Sequence, residues 1–423
     1  MKKLINFLIK HPVSITAILC LLFYFLPFKP KPFGDGQFHE GTKQLIEFII
    51  NGFQGNITID KGFLTLFCYL IPYSIVYVFH DDNLFFYSGV IFSCLFVCYS
   101  IHLLFKSLEI MQFSNNAKFL TLFLLSIFPI HIYYAMGIIG EVFAFFAVSS
   151  FVYLWIKITQ SKNNSKSDFL FLGLSLVLLY GIKPTMIPFI LLFTLYLLIG
   201  KNKLSNKIIF SAVVISIPLL VLTERKLDDT GFEFKNTVFR NQILWSRFEL
   251  RDEPFNWLPQ HGQDGFESKD YLNNLKKRRE LDSICDVNNY DKTTYYIDWV
   301  KKDIVSNPFL TLRQYSLKFF QSQSFIISPL MKSNKSNLIK FGVHFYINLI
   351  NYIFIIIGLF SMYKLLKIKN YKLFIPFLLF WGWSLCYVFV FHSEQRYMFP
   401  TRPILIFLFC FYFSGFNLKQ KSD

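Results

Sequence analysis

The strongest constraint on this chain is a recurrence. Run after run of apolar residues comes close to the length that crosses a lipid bilayer, and lysine-bearing segments separate them. The hydrocarbon core of a bilayer takes roughly 20 residues of helix, and runs of about 18 already qualify. Hydrophobic residues make up 53% of the 423 and charged residues only 17%, whereas soluble domains carry about 25% charged residues. The expected fold class is an all-α polytopic membrane protein.

Lysine placement sets the expected topology. Basic residues cluster at Lys2-Lys3, Lys106 to Lys118, Lys157 to Lys166, Lys201 to Lys207, Lys364 to Lys372 and Lys419 to Lys421. Short cytoplasmic loops collect Lys and Arg. With all these clusters on the cytoplasmic side, the spans run over 11–28, 84–105, 117–134, 142–158, 168–182, 186–200, 207–222, 342–363, 372–391 and 400–416. That is about ten transmembrane helices with both termini inside. Lys2-Lys3 ahead of the first run reads as a retained anchor.

The run 62–79 breaks this parity. Counting it as a span would invert everything after it and put the lysine-poor loops inside. It is therefore expected to lie in, or re-enter from, the outer face, where Pro72, Tyr69, Tyr73, Ser74 and Tyr77 suit an interface; one more true span is the alternative. The stretch 38–53 supports outer-face interfacial helices. Leu45, Ile46, Ile49, Ile50 and Phe53 share one helical face, and Glu40, Lys43, Glu47 and Asn51 share the other. The expected organisation is an N-terminal transmembrane module over 1–222 with a first outer loop 29–83, an outer-face region over 223–341, and C-terminal transmembrane helices over 342–423. The large outer loop holds Trp245, Trp257 and Trp299 and is too long for a connector, so it should fold or cover something.

The net charge of +16 follows from the positive-inside bias, and part of it suits anionic membrane lipids or phosphate. No basic patch interleaves with aromatics on a soluble domain, so nucleic acid is not an expected partner. Of seven cysteines, only Cys285 lies in a polar region, and no zinc spacing occurs. No phosphate-binding loop, GxSxG or HExxH is present. A nucleotide-activated sugar would need a soluble nucleotide-binding domain. An activated sugar for this chain would arrive on a lipid.

The outer-side ionisable residues are few, and each has two readings. Asp35, between Gly34 and Gly36, is a general base or metal ligand at the membrane surface, or a turn aspartate. Glu141, after Gly137-Ile138-Ile139-Gly140, is a functional acid at a membrane boundary, or an acid stabilised by a helix dipole. Lys61, Lys183 and Arg396 stand on the side that the positive-inside rule disfavours. They either stabilise a phosphate leaving group or anchor the chain by snorkelling. The turn holding His392, Glu394, Arg396 and Tyr397 is a site or an ordinary polar turn. His39, near Asp35, and His392 are candidate metal ligands.

These residues fall in an order that resembles the GT-C superfamily of membrane glycosyltransferases, in particular the bacterial relatives of protein O-mannosyltransferases and of the lipid A aminoarabinose transferase. Gly34-Asp35-Gly36 resembles the acidic first-loop motif. Asp60-Lys61-Gly62-Phe63 is similar to the start of the following helix, with Phe63 where proline is usual. Gly140-Glu141-Val142-Phe143 resembles the acidic second-loop motif, and Gly181-Ile182-Lys183-Pro184-Thr185 the basic turn after it. Glu394-Gln395-Arg396-Tyr397, with Pro400 and Pro403, is similar to the motif near the last spans. Trp299 to Phe320, with Asn307-Pro308, resembles the segment preceding those spans. His39 stands where a tyrosine is common.

The resemblance implies a GT-C fold and a transferase that takes a sugar from a polyprenyl-phosphate donor. It would deliver that sugar, with inversion, to a lipid, glycan or protein acceptor at the outer face of the cytoplasmic membrane. Asp35 would be the general base. Glu141 would orient the acceptor or share a divalent metal ion with Asp35, with His39 a further candidate ligand; no cofactor is certain. Lys61 and Arg396 would bind the donor phosphate with help from Lys183. Glu394, Tyr397 and His392 would bind the acceptor or support the site, and 223–341 would bind the acceptor or close it. A glycan polymerase and a lipid-linked glycan transporter are the alternatives.

Overall fold

Long apolar segments become helices because, away from water, backbone N–H and C=O groups have to bond within their own segment. The computed structural model describes residues 2–25, 33–34, 36–55, 57, 62–81, 83–127, 130–161, 165–200, 202–227, 231–252, 268–325, 336–391 and 398–414. Helices dominate them. Five are long and apolar enough to cross a membrane: Leu84–Ile110, Glu141–Gln160, Leu204–Glu224, Asn337–Lys367 and Tyr371–Val390. Shorter apolar helices occupy Pro12–Phe25, Phe63–Phe79, Pro184–Ile199 and Phe399–Phe413. The protein is an all-α membrane protein.

The chain forms two compact units. The first comprises Met1–Asp229, Ile353–Trp381 and Phe399–Asp423. Its elements begin with α1 (Lys2–Lys10), α2 (Pro12–Phe25), the short strand β1 (Phe33–Gly34), α3 (Gly36–Ile50), α4 (Phe63–Phe79) and α5 (Asn83–Ile110). They continue with α6 (Asn115–Ile127), α7 (Ile130–Ala135), β2 (Gly137–Ile138), α8 (Glu141–Gln160), α9 (Lys166–Ile182), α10 (Ile187–Ile199), α11 (Leu204–Val214) and α12 (Ser216–Leu227).

Helix α8 is the centre of this unit. It packs against both α5 and α9, and 72% of its apolar window is buried by protein, against 22% for Leu204–Glu224. A helix apolar all round is expected within a bundle or against lipid; α8 is buried in the bundle, whereas α11–α12 is largely exposed. An ion pair joins consecutive helices, with Lys157 Nζ 2.7 Å from Asp168 Oδ1. Asp168 lies in the first turn of α9, capped by Ser165 Oγ, which accepts the Asp168 N–H at 3.2 Å.

The second unit comprises Thr230–Tyr352 and Gly382–Met398. It holds α13 (Gly231–Phe248), α14 (Lys269–Asn288), α15 (Lys292–Ser306) and α16 (Pro308–Gln323), the first part of α17 (Asn337–Lys367) and the last part of α18 (Tyr371–Val390). The final helix, α19 (Arg402–Phe413), returns to the first unit. Helices α14 to α16 start where their sequence allows it. Ser268 and Asp291 accept the Tyr271 and Thr294 N–H groups at 3.1 and 2.7 Å, and Pro308 opens α16 at a position whose N–H has no helical partner. Leu244, Trp245, Phe248, Leu281 and Tyr296 form the core. The segment 223–341 thus contains a helical core of its own.

Some boundaries differ from the sequence expectation. Within the span 117–134, α6 is described to Ile127 and α7 from Ile130; residues 128 and 129 lie outside the described residues. The span 207–222 is interrupted at Ile215, because Pro218 has no N–H to give the Val214 carbonyl. The amphipathic stretch 38–53 is helical only to Ile50. Gly52 and Phe53 follow with positive φ, and Phe53 lies outside the helix. Leu45 is buried, whereas Ile49, Ile50 and Phe53 stay exposed.

Candidate active site

The first clue is a pairing of two residues with two. Strand β1 runs parallel to β2, with Phe33 opposite Gly137 and Gly34 opposite Ile138. Each strand is followed at once by a helix, α3 from Gly36 and α8 from Glu141. Asp35 lies outside the described residues, between Gly34 and Gly36. The backbone thus sets the segments before Asp35 and Glu141 side by side, although about 100 residues separate them in the chain.

Glu141 is the first residue of α8 and is 5% exposed. Lys183 Nζ donates to its Oε1 at 2.7 Å, with a side chain only 13% exposed. Lys183 caps the C-terminal end of α9, where Pro184 prevents continuation, and its N–H donates to the Leu179 carbonyl at 2.8 Å. Both helix dipoles favour the pair. The acid stands at the positive end of α8 and the cation at the negative end of α9. Removing one partner would leave the other charge buried, a loss of about 3–5 kcal/mol.

Helix α4 holds this junction in place. Tyr69, fully buried, donates its hydroxyl to the Ile139 carbonyl at 3.2 Å. A Cβ on Gly140 would meet Thr65 Oγ1 at 3.3 Å and Ile182 Cγ2 at 3.4 Å. A Cβ on Gly62 would strike the Ile182 and Gly181 carbonyl oxygens, and one on Gly181 would strike Leu64. The start of α4 and the end of α9 therefore touch backbone to backbone, which glycine alone permits. Lys61, outside the described residues, immediately precedes Gly62.

A third acid enters here. Glu224 near the end of α12 is 7% exposed, and its Oε1 accepts the Phe63 N–H at 3.4 Å. Sequence reasoning passed over Glu224, which lies just past the span 207–222 and next to Arg225-Lys226. An acid closing an apolar run was the available signal.

The other candidates are distributed unevenly. His39 packs its ring among Tyr73, Phe85 and Phe86, with centroids 5.4, 4.9 and 6.2 Å away. His392, Glu394, Arg396 and Tyr397 lie outside the described residues. Beyond them, Phe399 is buried and stacks on Phe145 at 5.1 Å. Among the described residues no group of three or more His, Cys, Asp or Glu gathers as a metal site would require. A divalent cation on Glu141 would compete with the Lys183 ammonium already bonded to it. Chemically, the junction offers a buried carboxylate with a fixed hydrogen-bond donor, beside the backbone that carries Asp35. No family model, no curated protein and no solved structure matches this chain.

Proposed function

We propose that this protein is an inverting membrane glycosyltransferase that moves a sugar from a polyprenyl-phosphate donor to an acceptor hydroxyl at the outer face of the cytoplasmic membrane. The observation that carries the reading is the parallel pairing of Phe33–Gly34 with Gly137–Ile138. It brings together two acid-bearing segments that the sequence separates, and the Glu141–Lys183 pair stands at the same junction.

In the proposed reaction Asp35 takes the proton from the acceptor hydroxyl. The acceptor oxygen bonds to the anomeric carbon as the bond from that carbon to the phosphate oxygen breaks. Polyprenyl phosphate leaves with the electron pair, stabilised by Lys61 and Arg396. Glu141, held by Lys183, orients the acceptor. If a divalent ion takes part, Asp35, Glu141 and His39 are the residues of this chain that would hold it.

Purified protein given labelled polyprenyl-phosphate sugars is expected to transfer label. Asp35→Asn is expected to lower transfer by about 10²–10⁴-fold while the protein still inserts into membranes. Full activity in both Asp35→Asn and Glu141→Gln would make this assignment of the site wrong. Transfer only from a lipid-diphosphate oligosaccharide would make the chain a glycan polymerase. Movement of a lipid-linked glycan without transfer would make it a transporter.

A further inference from the structure

The second unit has an open cleft of about 300 Å³, at the low end of the volumes of small-molecule sites. Its wall is aromatic. The Phe248 and Trp299 rings lie parallel, 3° apart in plane and 6.0 Å between centroids. Arg251 lies 5.7 Å from the Phe248 centroid and Lys277 5.0 Å from the Trp299 centroid. Cations sit there because the negative faces of the rings attract them, and those faces equally favour the polarised C–H groups of a pyranose.

The polar rim decides the ligand class. Its three cations, Arg251, Lys276 and Lys277, are matched by three acids, Asp252, Glu280 and Asp303. Several are already paired. Arg251 lies 3.3 Å from Asp303, Lys277 lies 2.6 Å from Glu280, and Asn273 donates to Asp252 at 2.8 Å. A phosphate or carboxylate site needs surplus positive charge, and this rim has none. A neutral polyol uses both signs at once, since each hydroxyl donates to a carboxylate and accepts from an amide or ammonium group.

The rim is also pre-organised. Asp303 is fixed from behind by Arg247, whose Nε and Nη2 donate at 2.9 and 2.6 Å, and by Asn307 Nδ2 at 3.1 Å. A carboxylate held in this way keeps its geometry before a ligand arrives, which reduces the entropy lost on binding.

We infer that this cleft binds a neutral saccharide, with the sugar's C–H face on Trp299, which Phe248 backs, and its hydroxyls on Asp303, Asp252 and Asn273. That the saccharide is part of the transferase's acceptor rests on the reading above; binding in the cleft does not.

Saturation-transfer NMR on the full-length protein in lipid nanodiscs tests this, with neutral methyl glycosides of glucose, galactose, mannose and N-acetylglucosamine as probes. At least one is expected to bind. Trp299→Ala should weaken it by about 30-fold, as for an aromatic anchor, while Trp299→Phe retains most of the affinity. Asn273→Ala, a change on the outer side of α14, should weaken binding by several-fold and decides the matter if Trp299→Ala fails to fold. No binding by any neutral glycoside overturns the inference. So does binding that is displaced by inorganic phosphate, or that neither Trp299→Ala nor Asn273→Ala weakens. Glycoside binding that persists in a protein without transferase activity removes the transferase reading and leaves the cleft standing.

Discussion

Two places in this molecule bury opposite charges, and they do so differently. In the first unit Glu141 pairs with Lys183 at the meeting ends of two helices. In the second unit Arg247 binds Asp303, Arg251 lies 3.3 Å from the same carboxylate, and Lys318 lies 3.5 Å from Glu249. There, neighbours tie the charges to the backbone. Gln314 donates to the carbonyls of Arg247 and Glu249 at 2.9 and 3.1 Å, and Lys318 donates to Ser246 Oγ at 2.5 Å. The second arrangement stitches helices α13, α15 and α16 together. The first joins the start of α8 to the end of α9, where two distant acid-bearing segments run side by side. Burial of charge alone does not separate a framework from a site; what the charges are tied to does.

The largest expected effect tests the first place. Glu141→Gln keeps a hydrogen-bond acceptor for Lys183 but leaves its charge uncompensated, so some stability should be lost, while labelled-sugar transfer should fall by about 10²-fold, as when an orienting group is lost. If transfer is unchanged, the two places are alike and both are structural. Arg247→Met tests the second. It strips Asp303 of its closest partner, and breaking a buried pair costs about 3–5 kcal/mol. That loss should appear as reduced hydrogen-exchange protection over α13, α15 and α16, and Arg247→Met/Asp303→Leu should recover much of it. A single substitution that leaves protection intact would remove the contrast.

The smallest of the three effects is a pH dependence. Burial pushes the Lys318 ammonium down to about 8 from its ordinary 10.5, even with Glu249 beside it. Between these two values the unfolded chain holds the proton and the native one does not, so stability rises with pH by roughly 3 kcal/mol across the window. Below pH 8 both states are protonated and the contribution is flat. Urea unfolding followed in the second unit from pH 7 to 10 should show this slope, and Lys318→Met should remove it.

The spans were legible because a bilayer demands length, and length is written in the sequence. Five of the ten expected spans emerge as helices long and apolar enough to cross a membrane, close to the apolar runs. The segment 223–341 was legible only as something that folds. Arg247, Asp303 and Lys318 are scattered over more than 70 residues, and no local pattern links them. At the candidate site Glu141 and Lys183 were named from the sequence as separate boundary charges. Their pairing depends on α8 and α9 packing, a tertiary fact. Glu224 was missed because an acid at the end of a span looks like the beginning of a loop.

The β1–β2 ladder also orders events during synthesis. Parallel partners need a long crossover between them, and here the crossover is the whole stretch from β1 to β2, holding helices α3 to α7. At about 5–20 residues per second, Phe33 and Gly34 emerge roughly 5–20 s before Gly137 and Ile138 exist to receive them. The segment holding β1 is thus made early and docked late. A ribosome stalled before β2 would leave the segment that precedes Asp35 without the strand it pairs with.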